Sequence, residues 1–306
     1  MTQILARGLG RTYAGRVALS ATSFDLAEGQ VTALVGSNGA GKSTLIRRML
    51  ELTHGDGHTL FDGCRYPDLD RPASIVGLSL DAFHLNPRQS VSSHLAMVAA
   101  RSRVPAARQR QFLGILGLDS VATRRIGALS LGMRQRLTLG AALVASPPVL
   151  ILDEPTNGLD QEGIQWLRDL VRTRAQDGCT VLMSSHQFSE VEAVGDNVLA
   201  LRRGHLVFDG RLTSLLNGRH QDEVVLECGD SWGAAKVLRS AGADCSIDVD
   251  GSVRVRDRDA NFVARWVLDA GIALREIRSG AISLAEAYAQ LMDEPSGAGW
   301  CDDVAA

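Results

Sequence analysis

The fold is decided by one short stretch, Gly36-Ser37-Asn38-Gly39-Ala40-Gly41-Lys42-Ser43-Thr44. It matches the phosphate-binding loop pattern G-x-x-x-x-G-K-[ST] at every constrained position. The apolar run 31–35 before it predicts a buried strand, and the helical spacing of apolar residues in 45–50 after it predicts a helix. Strand, loop and helix in that order predict an α/β domain that cradles the phosphates of a nucleoside triphosphate.

Each residue type in this loop suits phosphate. The glycines let the backbone turn its N–H groups inward, and the N-terminus of the following helix adds about half a positive charge. Lys42 neutralises phosphate charge, and the hydroxyl of Ser43 is a ligand for Mg²⁺. Every residue from Gly36 to Thr44 is therefore a candidate nucleotide contact. The alternative is a glycine-rich turn with a chance lysine, which the agreement of strand, loop and helix disfavours.

Length and composition narrow the class of protein. The 306 residues predict roughly two domains. Hydrophobic residues make up 45% of the chain, the mean hydropathy is +0.02, and no apolar run reaches membrane-spanning length. With no signal peptide pattern either, we expect a cytoplasmic protein. The net charge of −3 gives no basic field for nucleic acid, and the five scattered cysteines lack C-x-x-C spacing and predict free thiols.

Two carboxylates follow a second core strand. The consecutive aliphatics of 149–152 predict a buried parallel strand whose carboxyl end faces the nucleotide. Asp153 is placed to hold Mg²⁺ through water, and Glu154 to polarise the water that attacks the γ-phosphate. A plain helix-start signal is the alternative. His186 follows the next predicted strand, 180–185, at the same edge of the sheet, although a lone histidine there is usually structural.

For three further residues the sequence allows either a nucleotide contact or an ordinary structural role. Tyr13 lies in a predicted antiparallel ribbon before the loop, where its ring either stacks on a purine or packs within the ribbon. Ser130 fits the N-cap of a helix, and Gly132 exposes N–H groups at the same helix N-terminus. That arrangement is either a second anion site or a simply capped helix.

Taken together, these motifs resemble the ATP-binding subunit of an ATP-binding-cassette (ABC) transporter over about residues 3–217. The match is carried, in the family's order, by the loop 36–44, the signature-like Leu129 to Met133, the strand and acids 149–154, the turn 158–160 and His186. The resemblance implies a P-loop NTPase cassette with a mixed sheet core, an antiparallel β subdomain and a helical insertion at about 88–145.

The resemblance also implies roles for individual residues, with ATP and Mg²⁺ as cofactors. In that family two subunits pair head to tail, the signature of one closes on the ATP held by the other, and a separate polytopic permease binds the pair at the inner face of the cell membrane. By position, Tyr13 would stack on adenine, and Ser130 and Gly132 would contact the partner's γ-phosphate. Glu154 would act as general base, and His186 would hold the γ-phosphate and the water.

Two positions depart from the family pattern. Asp81 stands where the family commonly has a glutamine that touches Mg²⁺ and senses the membrane partner, and Leu131 replaces a usual glycine of the signature. An aspartate still offers oxygen to magnesium, so Asp81 joins Ser43 and Asp153 as a candidate ligand. The alternative is a loop acid without a metal contact. The apolar residues of the loop 81–87 predict a groove for a cytoplasmic helix of the permease.

The chain after about residue 217 is interpreted by pattern alone. Residues 218–294 predict the order β-α-β-β-α-β and a final amphipathic helix, a small α+β accessory domain of ferredoxin-like order. Residues 295–306 predict a disordered tail. Such a domain would sense a small ligand, stabilise a dimer, or serve as a packing appendage. The arrangement loosely resembles the branch that exports drugs and antibiotics, which favours export of drug, antibiotic or lipid-like cargo.

The competing function is a soluble cassette ATPase of translation, DNA repair or cluster assembly. Translation-type members carry two cassettes in one chain, and repair members carry a long coiled-coil insertion, and this sequence has neither. A cassette that binds ATP without hydrolysing it is disfavoured because Lys42, Asp153, Glu154 and His186 are all present. We therefore predict an ATP-hydrolysing subunit that powers a membrane exporter as part of a dimer.

Overall fold

The computed structural model describes two compact units, which divide between Arg211 and Leu212. The residues that it describes are 3–80, 85–217, 224–256, 258–279 and 283–293. Over these ranges no helix combines the length and the apolar character that crossing a bilayer requires. Each unit has a hydrophobic core of its own.

The first unit alternates strands with helices after an initial ribbon. Its elements are β1 (Ile4–Tyr13), β2 (Arg16–Leu26), β3 (Val31–Val35), α1 (Lys42–Met49), β4 (Asp56–Phe61), β5 (Cys64–Arg65), α2 (Pro72–Ile75), β6 (Val76–Ser79), α3 (Val91–Arg101), α4 (Ala106–Ile115), α5 (Leu131–Leu143), β7 (Val149–Leu152), α6 (Gln161–Gln176), β8 (Thr180–Ser185), α7 (Phe188–Val194), β9 (Asn197–Arg202) and β10 (His205–Arg211). The strand β3, the phosphate loop and the helix α1 follow one another as the sequence predicts.

A six-stranded mixed sheet forms the centre of this unit, in the order β10-β9-β3-β8-β7-β6. All neighbours are parallel except β9 and β10, which form an antiparallel hairpin. Every residue of β3, β7 and β8 is buried, as expected for parallel strands covered on both faces. Val35 pairs with Ser185, and Leu152 with Met183, so the carboxyl ends of these three strands meet at one edge.

A second, antiparallel sheet in the order β2-β1-β4-β5 packs into the same core. Its first hairpin turns at Ala14 and Gly15, whose φ angles of 46° and 80° lie in the left-handed region. This turn chemistry matches the right-handed twist of the strands that it joins. The hairpin brings Tyr13, the last residue of β1, next to Arg16, the first residue of β2.

A helical region, α3 to α5, lies between β6 and β7. Its helices share a cluster of buried apolar side chains, among them Leu113 and Leu137. The hydroxyls of Ser90 and Ser130 cap α3 and α5 by accepting a backbone N–H at the third residue beyond. Leu85 is half-buried against the same cluster. This side chain, which the sequence predicted to line a groove for the permease, is therefore partly covered by its own chain.

The second unit contains a four-stranded antiparallel sheet in the order β12-β13-β11-β14. Its elements are α8 (Leu212–Asn217), β11 (Val224–Cys228), α9 (Ser231–Ser240), β12 (Asp244–Ile247), β13 (Val253–Arg256), α10 (Ala260–Asp269), β14 (Leu274–Ser279) and α11 (Leu284–Asp293). Aliphatic residues of the strands and of α9 and α10 make its core. In this strand order α9 connects β11 to β12 and α10 connects β13 to β14, which is the arrangement of a split βαβ unit.

The predicted fold class of the first unit is confirmed: a mixed sheet core, an antiparallel β sheet and a helical insertion. The predicted boundary at residue 217 and the structural division at residue 211 differ by the helix α8, which lies in the second unit. That short helix continues directly from β10, so no linker composition marks the change of unit. The predicted tail, 295–306, lies outside the described residues.

Candidate functional site

The phosphate loop leaves the carboxyl end of β3 and enters α1 at Lys42. Gly41 caps the helix with φ 111°, a conformation that glycine adopts without strain. Gly36 is required for a different reason, because a β-carbon built on it would stand 2.8 Å from Cβ of Ala40 and 2.9 Å from the carbonyl oxygen of Leu201. The glycines of the motif thus serve both the turn and the close packing of the loop on the sheet.

Three charged or polar side chains meet where the loop faces the strand ends. Lys42 Nζ lies 2.8 Å from the carbonyl oxygen of Gly36 and 3.1 Å from Oε1 of Glu154. The other carboxylate oxygen of Glu154 lies 2.6 Å from Nδ1 of His186, and because an ionised carboxylate only accepts, the ring nitrogen donates. Lys42 is 6% exposed and Glu154 18%, so their ion pair is shielded from solvent. The structure thus brings the three predicted catalytic residues together.

A buried serine of β8 orients both acids at the end of β7. Ser184 is fully buried, and its hydroxyl donates to Oδ1 of Asp153 at 2.6 Å. The hydroxyl oxygen of Ser184 in turn accepts the backbone N–H of Glu154 at 2.8 Å. Glu154 itself has φ 48°, a left-handed conformation that costs free energy in a non-glycine residue and is commonest at functional sites. Sequence reasoning missed Ser184, because a serine inside a buried strand carries no motif.

An open cleft of about 890 Å³ runs along the loop. Its lining residues are Tyr13, Arg16, Val17, Ala18, Ser37, Asn38, Gly39, Ala40, Gly41, Lys42, Ser43, Thr44, Glu154, Asn157, His186 and Arg203. The predicted loop residues line it except Gly36, which contributes its carbonyl oxygen to Lys42 instead. Asp153 is not among the lining residues and stands directly behind Glu154. The cleft residues that sequence reasoning missed come from the start of β2, from the hairpin turn at Arg203 and from the turn after the acids.

Tyr13 stands at one end of this cleft, with its side chain 42% exposed. The guanidinium carbon of Arg11 lies 4.2 Å from the centroid of the tyrosine ring, a cation–π contact. Arg11 is itself held by a hydrogen bond to the carbonyl oxygen of His54. A ring held in this way offers an exposed apolar surface on which a planar base can stack, as the resemblance implied.

The signature-like residues lie outside the cleft of their own chain. Ser130 is exposed and accepts the N–H of Met133 at 3.2 Å, which makes it the N-cap of α5. A β-carbon built on Gly132 would stand 2.9 Å from the carbonyl oxygen of Gly158, so the signature packs on the turn that follows the acids. One helical turn further on, Gln135 donates from Nε2 to the carbonyl oxygen of Pro155 at 3.0 Å. Asp81 lies outside the described residues.

Comparison with known proteins agrees with this geometry. Residues 19–157 match the family model described as ABC transporter. The chain is 33% identical over 204 residues to a lantibiotic transport ATP-binding protein of Streptococcus pyogenes, a match that covers 66% of this chain and 88% of that protein. It is 28% identical over 296 residues to a bacitracin transport ATP-binding protein of Enterococcus faecalis, covering 94% of this chain and 96% of that protein.

A solved structure gives the same result for the fold. An ATP-binding subunit of an ABC transporter superimposes with a TM-score of 0.64 at 25% identity, covering 70% of this chain and 92% of that one. The phosphate loop and the acids after β7 lie within residues 19–157, which the family model matches, and the histidine after β8 lies beyond them. The chain belongs to the ABC transporter family, as a nucleotide-binding ATPase subunit.

Proposed function

We propose that this chain hydrolyses ATP to power a membrane exporter, working as a head-to-tail dimer on the cytoplasmic face of a separate permease. The observation that carries the chemistry is the carboxylate of Glu154, which bridges Lys42 and His186 in the cleft. Proteins similar to this chain are named for lantibiotic transport, bacitracin transport and Nod factor export, which supports export of an antibiotic-like or lipid-like cargo. A soluble cassette function has no comparable support.

The residues of the cleft divide the work of phosphoryl transfer. The N–H groups at the start of α1 and the ammonium of Lys42 bind the β- and γ-phosphates, which positions the bond that breaks. Glu154 accepts a proton from the attacking water, and its orientation is fixed by Ser184 behind it. His186 Nδ1 holds the carboxylate, which leaves the opposite edge of its ring for the γ-phosphate and the water.

The oxygens near the phosphate end fit a magnesium ion. Ser43 lines the cleft and offers a hydroxyl, and Asp153 offers a carboxylate of which one oxygen is engaged by Ser184. Hydroxyl, carboxylate, water and phosphate oxygens are the ligands that Mg²⁺ prefers. When bound, the ion neutralises charge that develops on the phosphates. We assign Ser43 and Asp153 to hold it, the second through water because Asp153 does not reach the cleft surface.

The proposed second subunit explains why Ser130 and Gly132 lie away from their own cleft. Ser130 is exposed at the N-terminus of the thirteen-residue helix α5, whose backbone N–H groups attract anions. In a head-to-tail pair this surface would close over the partner's γ-phosphate. A chain with Ser130→Arg and one with Lys42→Ala would then each damage a different half of the composite sites, and mixing them should restore one complete site per dimer.

The deciding experiment compares Glu154→Gln with Glu162→Gln, an exposed carboxylate of α6 outside the cleft. Loss of the general base should lower ATP turnover by roughly 10² or more while ATP affinity is retained. The control should hydrolyse ATP at the wild-type rate. With saturating Mg·ATP, the Glu154→Gln chain should elute as a dimer in size-exclusion chromatography. Wild-type turnover in Glu154→Gln would remove this residue from the role of base, and a monomer would contradict the composite site.

A test of the membrane partner separates export from a soluble function. The candidate permease is any polytopic membrane protein that is found encoded next to this chain, and co-expression with it should retain the chain in the detergent-solubilised membrane fraction. ATPase activity should then respond to addition of the permease's cargo. A chain that hydrolyses ATP with the properties above but is recovered only apart from membranes would support the soluble alternative.

A further inference from the structure

Two hairpin turns flank the nucleotide cleft, and both are of the same type. The turn between β1 and β2 has Ala14 and Gly15 at its centre, and the turn between β9 and β10 has Arg203 and Gly204. The second pair has φ angles of 48° and 82°, so both central residues are left-handed. Asn, Asp and Gly are the usual residues at the first central position because they tolerate this backbone best. An arginine at this position destabilises the turn relative to Asn, Asp or Gly.

The turn at Arg203 is fixed against the phosphate loop by backbone hydrogen bonds. The N–H of Gly204 donates to the carbonyl oxygen of Ala40 at 2.8 Å, and the N–H of Ser20 donates to the carbonyl oxygen of Gly204 at 2.7 Å. A β-carbon built on Gly204 would stand 2.7 Å from the carbonyl oxygen of Ala18, and one built on Gly41 would stand 3.0 Å from the same oxygen. The turn, the loop and β2 therefore meet at one point.

Arg203 and Arg16 both line the cleft beside this point, and both are exposed. Within the described ranges, neither guanidinium takes part in an ion pair or a side-chain hydrogen bond. Lys42, by contrast, is already paired with Glu154. The cleft thus holds two unengaged cations on the side of Tyr13, besides the lysine at the phosphate end.

We propose that Arg203, together with Arg16 of the same cleft, binds the α-phosphate of the nucleotide. A nucleotide whose base lies on Tyr13 and whose β- and γ-phosphates lie at Lys42 must pass the meeting point of turn, loop and β2 with its α-phosphate. A guanidinium donates two parallel hydrogen bonds to phosphate oxygens and is always charged, which suits this position. The inference rests on the proposed ATP-binding function and adds to it a phosphate contact that ATP and ADP share.

The test measures the affinities of Arg203→Ala, Arg203→Lys and the wild type for ATP, ADP and adenosine by calorimetry. Arg110→Ala, which removes an exposed arginine of α4 far along the chain from the cleft residues, is the charge control. Loss of a charge-assisted hydrogen bond should weaken ATP and ADP alike, by about tenfold, and leave adenosine unchanged. Lysine should restore part of the loss, and the difference between wild type and Arg203→Ala should shrink in about 0.5 M salt.

Three results with the variants would contradict a contact between Arg203 and the α-phosphate. Unchanged ATP and ADP affinities in Arg203→Ala would overturn the proposal, and so would a loss for ATP alone, which would assign the contact to the γ-phosphate. A variant with normal affinities whose ATP-bound dimer fails to form in the Glu154→Gln background would assign Arg203 to the other subunit instead. Absence of ATP binding by the wild type would refute the proposed function itself, before the variants are considered.

Discussion

Replacing Ser184 by alanine tests the support behind the two acids. The hydroxyl of Ser184 bridges the carboxylate of Asp153 and the backbone N–H of Glu154, and Ser184 is fully buried. Removing it deprives an ionised carboxylate of a 2.6 Å hydrogen bond and leaves a backbone N–H without its acceptor. Alanine fits the site, so the change removes hydrogen bonds with little loss of packing.

The expected magnitude follows from the kind of hydrogen bond that is lost. A hydrogen bond to a charged group contributes about 1.5–3 kcal/mol, and an orphaned buried donor adds a penalty of about 1–3 kcal/mol. Because water can enter beside Glu154 in the open cleft, we expect a net loss near the low end, about 2 kcal/mol. For a unit of this size that lowers Tm by roughly 4–8 °C. Misplacement of the base should also lower kcat by roughly tenfold or more.

Thermal unfolding and steady-state ATPase rates measure the two effects, with Thr180→Val as the matched control. Thr180 lies four residues earlier in β8 and is equally buried, but its hydroxyl has no hydrogen-bond partner among the described residues. Valine there should leave Tm unchanged or raise it, and kcat should not change. Because the chain has two units, only the transition that shifts with added ATP is compared. An equal response of Tm and kcat in both variants would refute the role assigned to Ser184.

Three other substitutions test separate features. Gly36→Ala should abolish ATP binding, measured by calorimetry, because its β-carbon would stand 2.8 Å from Cβ of Ala40 and the loop would have to move; a wild-type affinity would contradict that packing. Arg168→Met should destabilise the first unit by about 3 kcal/mol in thermal unfolding, because it leaves the buried carboxylate of Glu190 without the two hydrogen bonds, of 2.8 Å and 3.0 Å, that Arg168 donates. Adding Glu190→Gln should recover much of the lost stability. Burial raises the pKa of Asp209 from 3.8 to about 6, so the stability that this group contributes is fully present below about pH 4 and is lost as the pH rises through 6. Asp209→Asn should therefore stabilise the first unit at pH 7.5 by about 1 kcal/mol, a figure discounted for the partial exposure of Asp209, and should raise Tm accordingly. The gain in Tm should vanish near pH 4.

The sequence predicted the parts of the site that local chemistry determines. The phosphate loop needs its glycines and lysine at fixed spacing, and β3 and α1 beside it follow from hydrophobic pattern alone. The meeting of Glu154 and His186 with Lys42 was also predictable, because the carboxyl ends of parallel strands reach one edge of a sheet. The structure adds the distances, and with them the finding that the carboxylate of Glu154 bridges Lys42 and His186.

The residues that sequence reasoning missed depend on contacts between segments far apart in the chain. Ser184 bonds to acids thirty-one and thirty residues away, and nothing in the strand pattern of β8 marks it. Arg203 reaches the cleft because the next residue of its hairpin turn, Gly204, is hydrogen-bonded to Ala40, which lies far away in the sequence. The role of Asp81 stays a prediction, since that residue lies outside the described ranges.

The hydrogen bond from Gln135 to the carbonyl oxygen of Pro155 ties α5 to the residue directly after Glu154, the proposed base. Gln135 is buried, and its amide cannot be left without an acceptor at low cost. A helix that advances toward a neighbouring subunit with Ser130 at its tip therefore carries the turn after Glu154 with it. In a pair of such subunits, nucleotide bound to one subunit would shift the proposed general base of the other, and the free energy of that coupling would pass in part through a buried amide.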